Sequence, residues 1–269
     1  MIFIIGIGNL LIGAAYSGLG LLSAWEAIRQ YSERGLSRFG LGFSLMAASC
    51  GPHHLVHGWC VLHGGVVAAP MLAATLIGLP AGVVFVWLRV EAALGGRGDR
   101  TIAGGSQSIA TLAVAFAIAV GGLAGWSLAH LPRFGFGLAM CTTLGLSIVG
   151  QTAPRLVFLC NVLVTVAYAM VGWYLITTQL RRHIASQVWS LSGIALAAVF
   201  PTCALMHLLH ALTSAADTVT LPFDLLGVPA SIYFLWVVKQ VHADSVVDWN
   251  RRPLVGVAAA PDRPSPWTS

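Results

Sequence analysis

Residues 50–57 read CGPHHLVH and residues 203–210 read CALMHLLH. Both carry Cys-x3-His-x2-His, as Cys50, His54 and His57 in one and Cys203, His207 and His210 in the other. Each lies inside a long apolar run, with a glycine ten residues upstream of its Cys (Gly40 and Gly193). The apolar run before each also matches: Asn9 and Tyr16 in NLLIGAAY, Asn161 and Tyr168 in NVLVTVAY. The run after each matches as well. Gly78-Leu-Pro80-Ala leads to Phe85 and Trp87, and Gly227-Val-Pro229-Ala leads to Phe234 and Trp236. Three motifs therefore recur in one order, offset by 152 (9 to 161), 153 (50 to 203) and 149 (78 to 227) residues. That is an internal repeat, and it decides how the rest of the chain is read.

The repeat is embedded in a chain that is 57% apolar and 9% charged, with a mean hydropathy of +0.83. A soluble domain carries roughly 25% charged residues, so lipid is the expected solvent. The start, MIFIIGIGNLL, has no Lys or Arg before its apolar run and no small-x-small cleavage site, so it reads as an uncleaved first span. The net charge of +5 follows from Lys and Arg collecting in cytoplasmic loops and needs no nucleic-acid partner. The five Cys are too scattered, and too often inside apolar runs, for a disulfide framework.

A span needs about 20 mostly apolar residues. Such runs lie near 3–28, 39–63, 66–90, 106–130, 156–180, 186–212 and 221–242. A further stretch, 134–151, is short and Gly-rich, as expected of a re-entrant or interfacial segment. If it does not cross, 12 basic residues fall on one side and only Arg133 and Arg155 on the other; if it crosses, the division is 7 against 7. The positive-inside rule then predicts an all-α bundle of seven transmembrane helices in the cell membrane, N-terminus outside and C-terminus cytoplasmic. The expected organisation is a three-helix unit over 1–95, a linking span and short apolar segment over 96–154, a second unit over 155–243, and a disordered tail over 244–269. The linking span corrects the parity, so the two units should run parallel about an axis along the membrane normal.

Positions i, i+4 and i+7 share a helix face, so each Cys-His-His set forms one stripe. The Cys and the last His are about 10 Å apart along the axis, too far for one helix to wrap all three around one ion. Cys and the first His are the expected ligands, with His57 and His210 as support or as a second site. A thiolate with imidazole suits Cu(I) or Zn(II); Cu(I) with one thiolate is neutral, which limits the cost of burial in hydrocarbon. Pro52 and Pro201 lie beside the two cysteines and free backbone carbonyls there. His63, His130, His183 and His242, near span ends, read as hydrogen-bonding residues, and His53 has no counterpart in the second unit. Asn9 and Asn161, buried polar groups, serve either a neighbouring helix or the site. The Pro-Ala-aromatic motif reads as packing.

The stretch Cys50-Gly-Pro-His-His54-x4-Trp59 resembles Cys-Gly-x-x-His-x4-Trp of the ethylene receptors' transmembrane sensor domain. That domain also has three helices with the N-terminus outside, and its first helix carries an acidic residue seven positions before a Tyr, the spacing of Asn9 to Tyr16. The resemblance covers about 90 residues of each unit and implies Cu(I) held by Cys50, His54, Cys203 and His207, with Asn9, Tyr16, Asn161 and Tyr168 around a ligand pocket. A tandem duplication is similar to that family's homodimer fused into one chain. The differences are specific. Asn9 and Asn161 replace the acidic residue, Ala204 and Leu212 stand where Gly and Trp are expected, His57 and His210 are additional, and no kinase region follows the last span.

These readings predict a membrane metal-binding sensor, with a small hydrophobic or gaseous ligand and a separate signalling or electron-transfer partner. The rivals are a b-type haem electron-transfer protein with axial His from the two units and a copper transporter, for which the six Met provide no Met-rich motif. No residue set for enzymatic catalysis stands out.

Overall fold

The computed structural model describes residues 1–29, 31–65, 67–103, 107–129, 152–214 and 218–247. Seven long helices carry these residues: α1 Ile2–Arg29, α2 Arg38–Leu62, α3 Ala69–Ala93, α4 Gln107–Ala129, α5 Thr152–Ser186, α6 Leu191–Ser214 and α7 Leu221–Val247. The chain is an all-α membrane bundle. α1, α3, α5, α6 and a segment from Thr218 to Ala243 containing most of α7 are each long and apolar enough to cross a bilayer. α2 is of spanning length, but His53, His54 and His57 interrupt its apolar sequence. In α4 the apolar stretch covers Val114–Trp126.

Helix limits follow local chemistry. The Ser37 hydroxyl accepts from the Gly40 amide at 3.1 Å and caps α2. Pro70 opens α3, where a missing N–H costs nothing. α5 continues past the apolar run through Arg181 and Arg182 to Ser186, because no Gly or Pro stops it. α7 continues to Val247, so the first residues of the tail expected to be disordered are helical. The segment 134–151, His130 and residues 248–269 lie outside the described residues.

At the end of the bundle where α3 and α5 finish, a two-stranded antiparallel ribbon joins β1 (Thr101–Ala103) to β2 (Val188–Ser190), with Ile102 opposite Trp189. Asp99 sits beside it and accepts from the Ser190 hydroxyl (2.7 Å), the Ser192 amide (2.9 Å) and the Arg100 amide (2.8 Å). These bonds outweigh burial, which pushes the carboxyl up, and hold it below the ordinary carboxylate range. Arg100 pairs with Glu91 and lies over Trp87, while Arg89 pairs with Glu26. At this same end a crevice of about 450 Å³ opens between the ends of α1 and α3 and the starts of α2 and α6.

Within the bundle α1 packs along α2, α5 along α6, and α5 along α7. Contacts also cross between the two halves of the sequence, with α2 on α7 and α3 on α6. Lipid offers no hydrophobic drive for helices to associate, so close packing has to supply it. Small residues permit that between α1 and α2: a Cβ on Gly58 would lie 2.8 Å from the Gly6 carbonyl, and one on Gly13 2.8 Å from that of Gly51. The centre of the bundle is aromatic, with Phe43, Phe85, Tyr168, Phe200 and Phe234 all buried. Leu21, Ile28 and Leu112 face outward, as lipid requires. Phe85 and Phe234 thus pack as expected, while Trp87 and Trp236 are exposed.

Candidate metal centre

The two Cys-His stripes lie on α2 and α6, and both point into the centre of the bundle. Cys50, His54, His57, Cys203, His207 and His210 are all buried. The Cys50 thiol, a ring nitrogen of His54 and the Cys203 thiol lie within 4.8 Å of one another, and the Cys50 thiol is 4.0 Å from His207 Nε2. Both cysteines are free thiols. Residues 153 positions apart are thereby brought to one place, so the two stripes build a shared centre rather than two separate ones.

The first helix of each half orients the imidazole. Asn9 Nδ2 donates to the Ile5 carbonyl (2.8 Å), which turns Asn9 Oδ1 towards His54 Nδ1, 2.8 Å away. A side-chain carbonyl only accepts, so His54 carries its proton on Nδ1 and presents a bare lone pair at Nε2. That Nε2 is buried without a hydrogen-bond partner. The second half repeats the arrangement. Asn161 Nδ2 donates to the Val157 carbonyl (2.9 Å), and Asn161 Oδ1 accepts from His207 Nδ1 (2.6 Å). Fixing one ring nitrogen so that the other faces inward is how metal-binding histidines are held. A buried, unpaired nitrogen costs about 1–3 kcal/mol unless something binds it.

The tyrosines cross between the halves. The Tyr16 hydroxyl lies 2.9 Å from the Cys203 sulfur, while Tyr168 engages Cys50. The Tyr16 and His54 rings meet edge to face at 6.0 Å, and those of Tyr168 and His207 at 5.6 Å. All four residues expected around the pocket from the first helices, Asn9, Tyr16, Asn161 and Tyr168, thus touch the Cys-His centre directly.

Two residues outside the repeated stripes, His53 and Asp224, complete it. His53 is buried with its ring 4.7 Å from that of His207 and 4.8 Å from that of His210. Its Nδ1 donates to Asp224 Oδ1 at 2.8 Å. Asp224, in the first turn of α7, is itself buried and accepts from the Thr220 hydroxyl at 2.8 Å. The sequence signal for His53 is its i, i+4 relation to His57. Asp224 carries no sequence signal beyond its place at the start of an apolar run. His57 and His210 meet edge to face at 4.9 Å. With Asn9, His53 and His54 they line a cavity of about 20 Å³, bounded on its apolar side by Met71, Met206 and Leu209.

The histidines near span ends stand apart. His63 stacks on Trp59 and His183 on Trp189, while His242 bonds Thr178 and Arg181. Among the described residues the candidate donors are therefore two thiols, five imidazoles and one carboxylate, gathered by α2, α6 and α7. Such a set can hold a soft or borderline transition-metal ion. No protein-family model, curated protein or solved structure matches this chain.

Proposed function

We propose that this protein is a membrane sensor or small-ligand-binding protein built on a Cu(I) centre, with Cys50, Cys203, His54 and His207 as ligands. The observation that carries the reading is the buried, unpaired Nε2 of His54, held beside two free thiols by Asn9. Soft thiolates with neutral imidazoles favour Cu(I) over harder ions. Convergence of both thiols changes the charge balance expected from one cysteine. Two thiolates neutralise a pair of Cu(I) ions or a single Zn(II), and exceed one Cu(I) by one negative charge. Tyr16 and Tyr168, at the sulfurs, would soften that excess by hydrogen bonding.

The resemblance to the ethylene receptors' sensor domain supports a small apolar or gaseous ligand on the copper. Seven spans in two parallel units, N-terminus outside, form the framework of this reading. The crossed pairing of α2 with α7 and of α6 with α3 supports it, since a pseudo-two-fold axis makes contacts reciprocal. Output then passes to a separate signalling or electron-transfer partner.

The decisive experiment measures metal in protein purified from copper-supplemented cells, comparing wild type with Cys50→Ser/Cys203→Ser. Copper should be present in the wild type and lost from the variant; equal copper in both would sink the reading. A haem between the units is less well supported, because the imidazoles pack closely around only about 20 Å³, whereas cofactor pockets run to several hundred Å³. A Soret band in the purified protein would reverse that preference. Met71 and Met206 on the cavity favour a copper transporter as second reading. Copper uptake into proteoliposomes separates it from a sensor.

A further inference from the structure

Beside the thiols, a second set of donors forms a site of a different chemical kind. We infer that His53, His57 and His210 bind a borderline divalent transition-metal ion such as Zn(II), oriented by Asp224 and Thr220 and separate from the Cys50–Cys203 pair.

The argument rests first on proton positions. Asp224 Oδ1 accepts from His53 Nδ1, which leaves His53 Nε2 a lone pair. Asp224 Oδ2 accepts the Thr220 hydroxyl proton, so the Thr220 oxygen is an acceptor for His210 Nε2, 3.4 Å away. His210 Nδ1 is then also a lone pair, and it is buried without a partner in a residue 1% exposed. One carboxylate thus sets the tautomers of two histidines, one directly and one through a hydroxyl. This is the carboxylate–histidine arrangement that supports metal sites.

The second support is geometry. His53 and His57 are four residues apart on α2, the spacing by which one helix face supplies two imidazoles to zinc. With metal–nitrogen bonds of about 2.0–2.1 Å, imidazole centres around a tetrahedral ion stand roughly 5 Å apart. The observed separations are 4.8 Å for His53–His210 and 4.9 Å for His57–His210. The His53–His57 pair stands at 6.4 Å, so His57 would have to move by about an ångström to join them, whereas donor atoms of His53, His207 and Asp224 already lie within 4.8 Å of one another. All three residues line the cavity of about 20 Å³, which is space for one ion.

The third is charge. Asp224 is 3% exposed, and among the described residues its partners are His53 and Thr220, with no Arg or Lys in ion-pair range. A carboxylate buried in a membrane bundle needs a positive counterpart. His53 supplies one when protonated; a divalent ion on the adjoining imidazoles supplies it with His53 neutral. Without thiolates the site selects a borderline ion, where the sulfur pair selects a soft one.

The test uses the full chain in detergent with Zn(II) and Co(II) as probes. Cys50→Ser/Cys203→Ser protein should retain one Zn(II) per chain and give Co(II) visible bands without thiolate charge transfer. On that background His53→Ala/His210→Ala should abolish binding, and Asp224→Asn or Thr220→Val should weaken it roughly 10–100-fold. Zinc-free Cys50→Ser/Cys203→Ser protein with native helix content would overturn the site, as would unchanged binding after His53→Ala/His210→Ala. Should the cysteine variant not fold, His210→Ala in the cysteine-intact chain must lower zinc stoichiometry by one; an unchanged count overturns the inference. Because the background lacks both thiols, failure here is distinct from failure of the copper reading.

Discussion

Asn9 and Asn161 orient His54 and His207 although neither side chain is charged. Each spends its amide donor on the carbonyl one turn back and so points its oxygen at a histidine. Asn9→Ala removes the acceptor for His54 Nδ1–H and lets the ring turn. Copper affinity, measured by competition with a coloured Cu(I) chelator, should fall roughly 10–100-fold while the helix content is unchanged. Asn9→Asp keeps an oxygen at the same place and should recover most of the loss. Wild-type affinity in Asn9→Ala would mean that the hydrogen bond does not position the ring. The importance of both asparagines was readable as polar groups recurring in register, but their choice between a helix contact and the site was not. Each amide places its donor on its own helix and its acceptor on a histidine of the next.

Between α1 and α2, packing rather than polarity sets the distance. Gly58 lies where an added Cβ would meet the Gly6 carbonyl at 2.8 Å and the Leu10 amide at 2.9 Å. Both are backbone atoms of α1, so no rotamer change relieves the clash and the helices must separate. Gly58→Ala should destabilise the protein by about 1–3 kcal/mol, read as a lowered thermal midpoint in detergent. Gly18, on the same α1, has nothing within 4 Å of its added Cβ. Gly18→Ala there should be neutral or stabilising by about 0.5–1 kcal/mol, from helix propensity alone. If the two variants behave alike, close approach is not what holds α1 to α2. Separating these helices would also pull Asn9 from His54, so Gly58→Ala should weaken metal binding as well. The helices themselves were legible from apolar runs, with limits that moved by a few residues where no breaker followed. α2 carries the most site residues, and its three buried histidines keep it from reading as a simple span.

Across the whole molecule, the two halves meet at a centre that neither forms alone. If Cys50 and Cys203 serve one centre, Cys50→Ser alone should remove nearly all the copper, and so should Cys203→Ser. Independent centres would each lose half, and a half-loss in both single variants would refute the shared centre. The non-additivity follows from ligands acting as a unit. The ribbon at the far end ties the loop after α3 to the loop before α6. Asp99 holds it together, and its carboxyl is depressed by hydrogen bonds from Ser190, Ser192 and Arg100 against the opposing effect of burial. A folded-state pKa below the unfolded one gives stability that is present above the unfolded value, about 3.9, and is lost as pH falls through the folded value. Thermal stability of the wild type should therefore drop as pH falls below about 4. Asp99→Asn should start lower and lack that part of the drop; parallel curves for the two would exclude Asp99 as its source.

The sequence by itself determined the membrane bundle, the repeat, and six candidate ligand side chains on two helix faces, because apolar composition and helical spacing are local properties of the chain. Only the tertiary structure decided that the two Cys50/Cys203 stripes share one centre, since residues 153 positions apart meet through helix packing that spacing does not encode. It also decided the place of Asp224. A lone acidic residue in the first turn of α7 looks like an ordinary span-end charge until α2 lays His53 against it at 2.8 Å. Helical periodicity says which residues share a face. It does not say which faces come together, and the chemistry of this centre lies between faces.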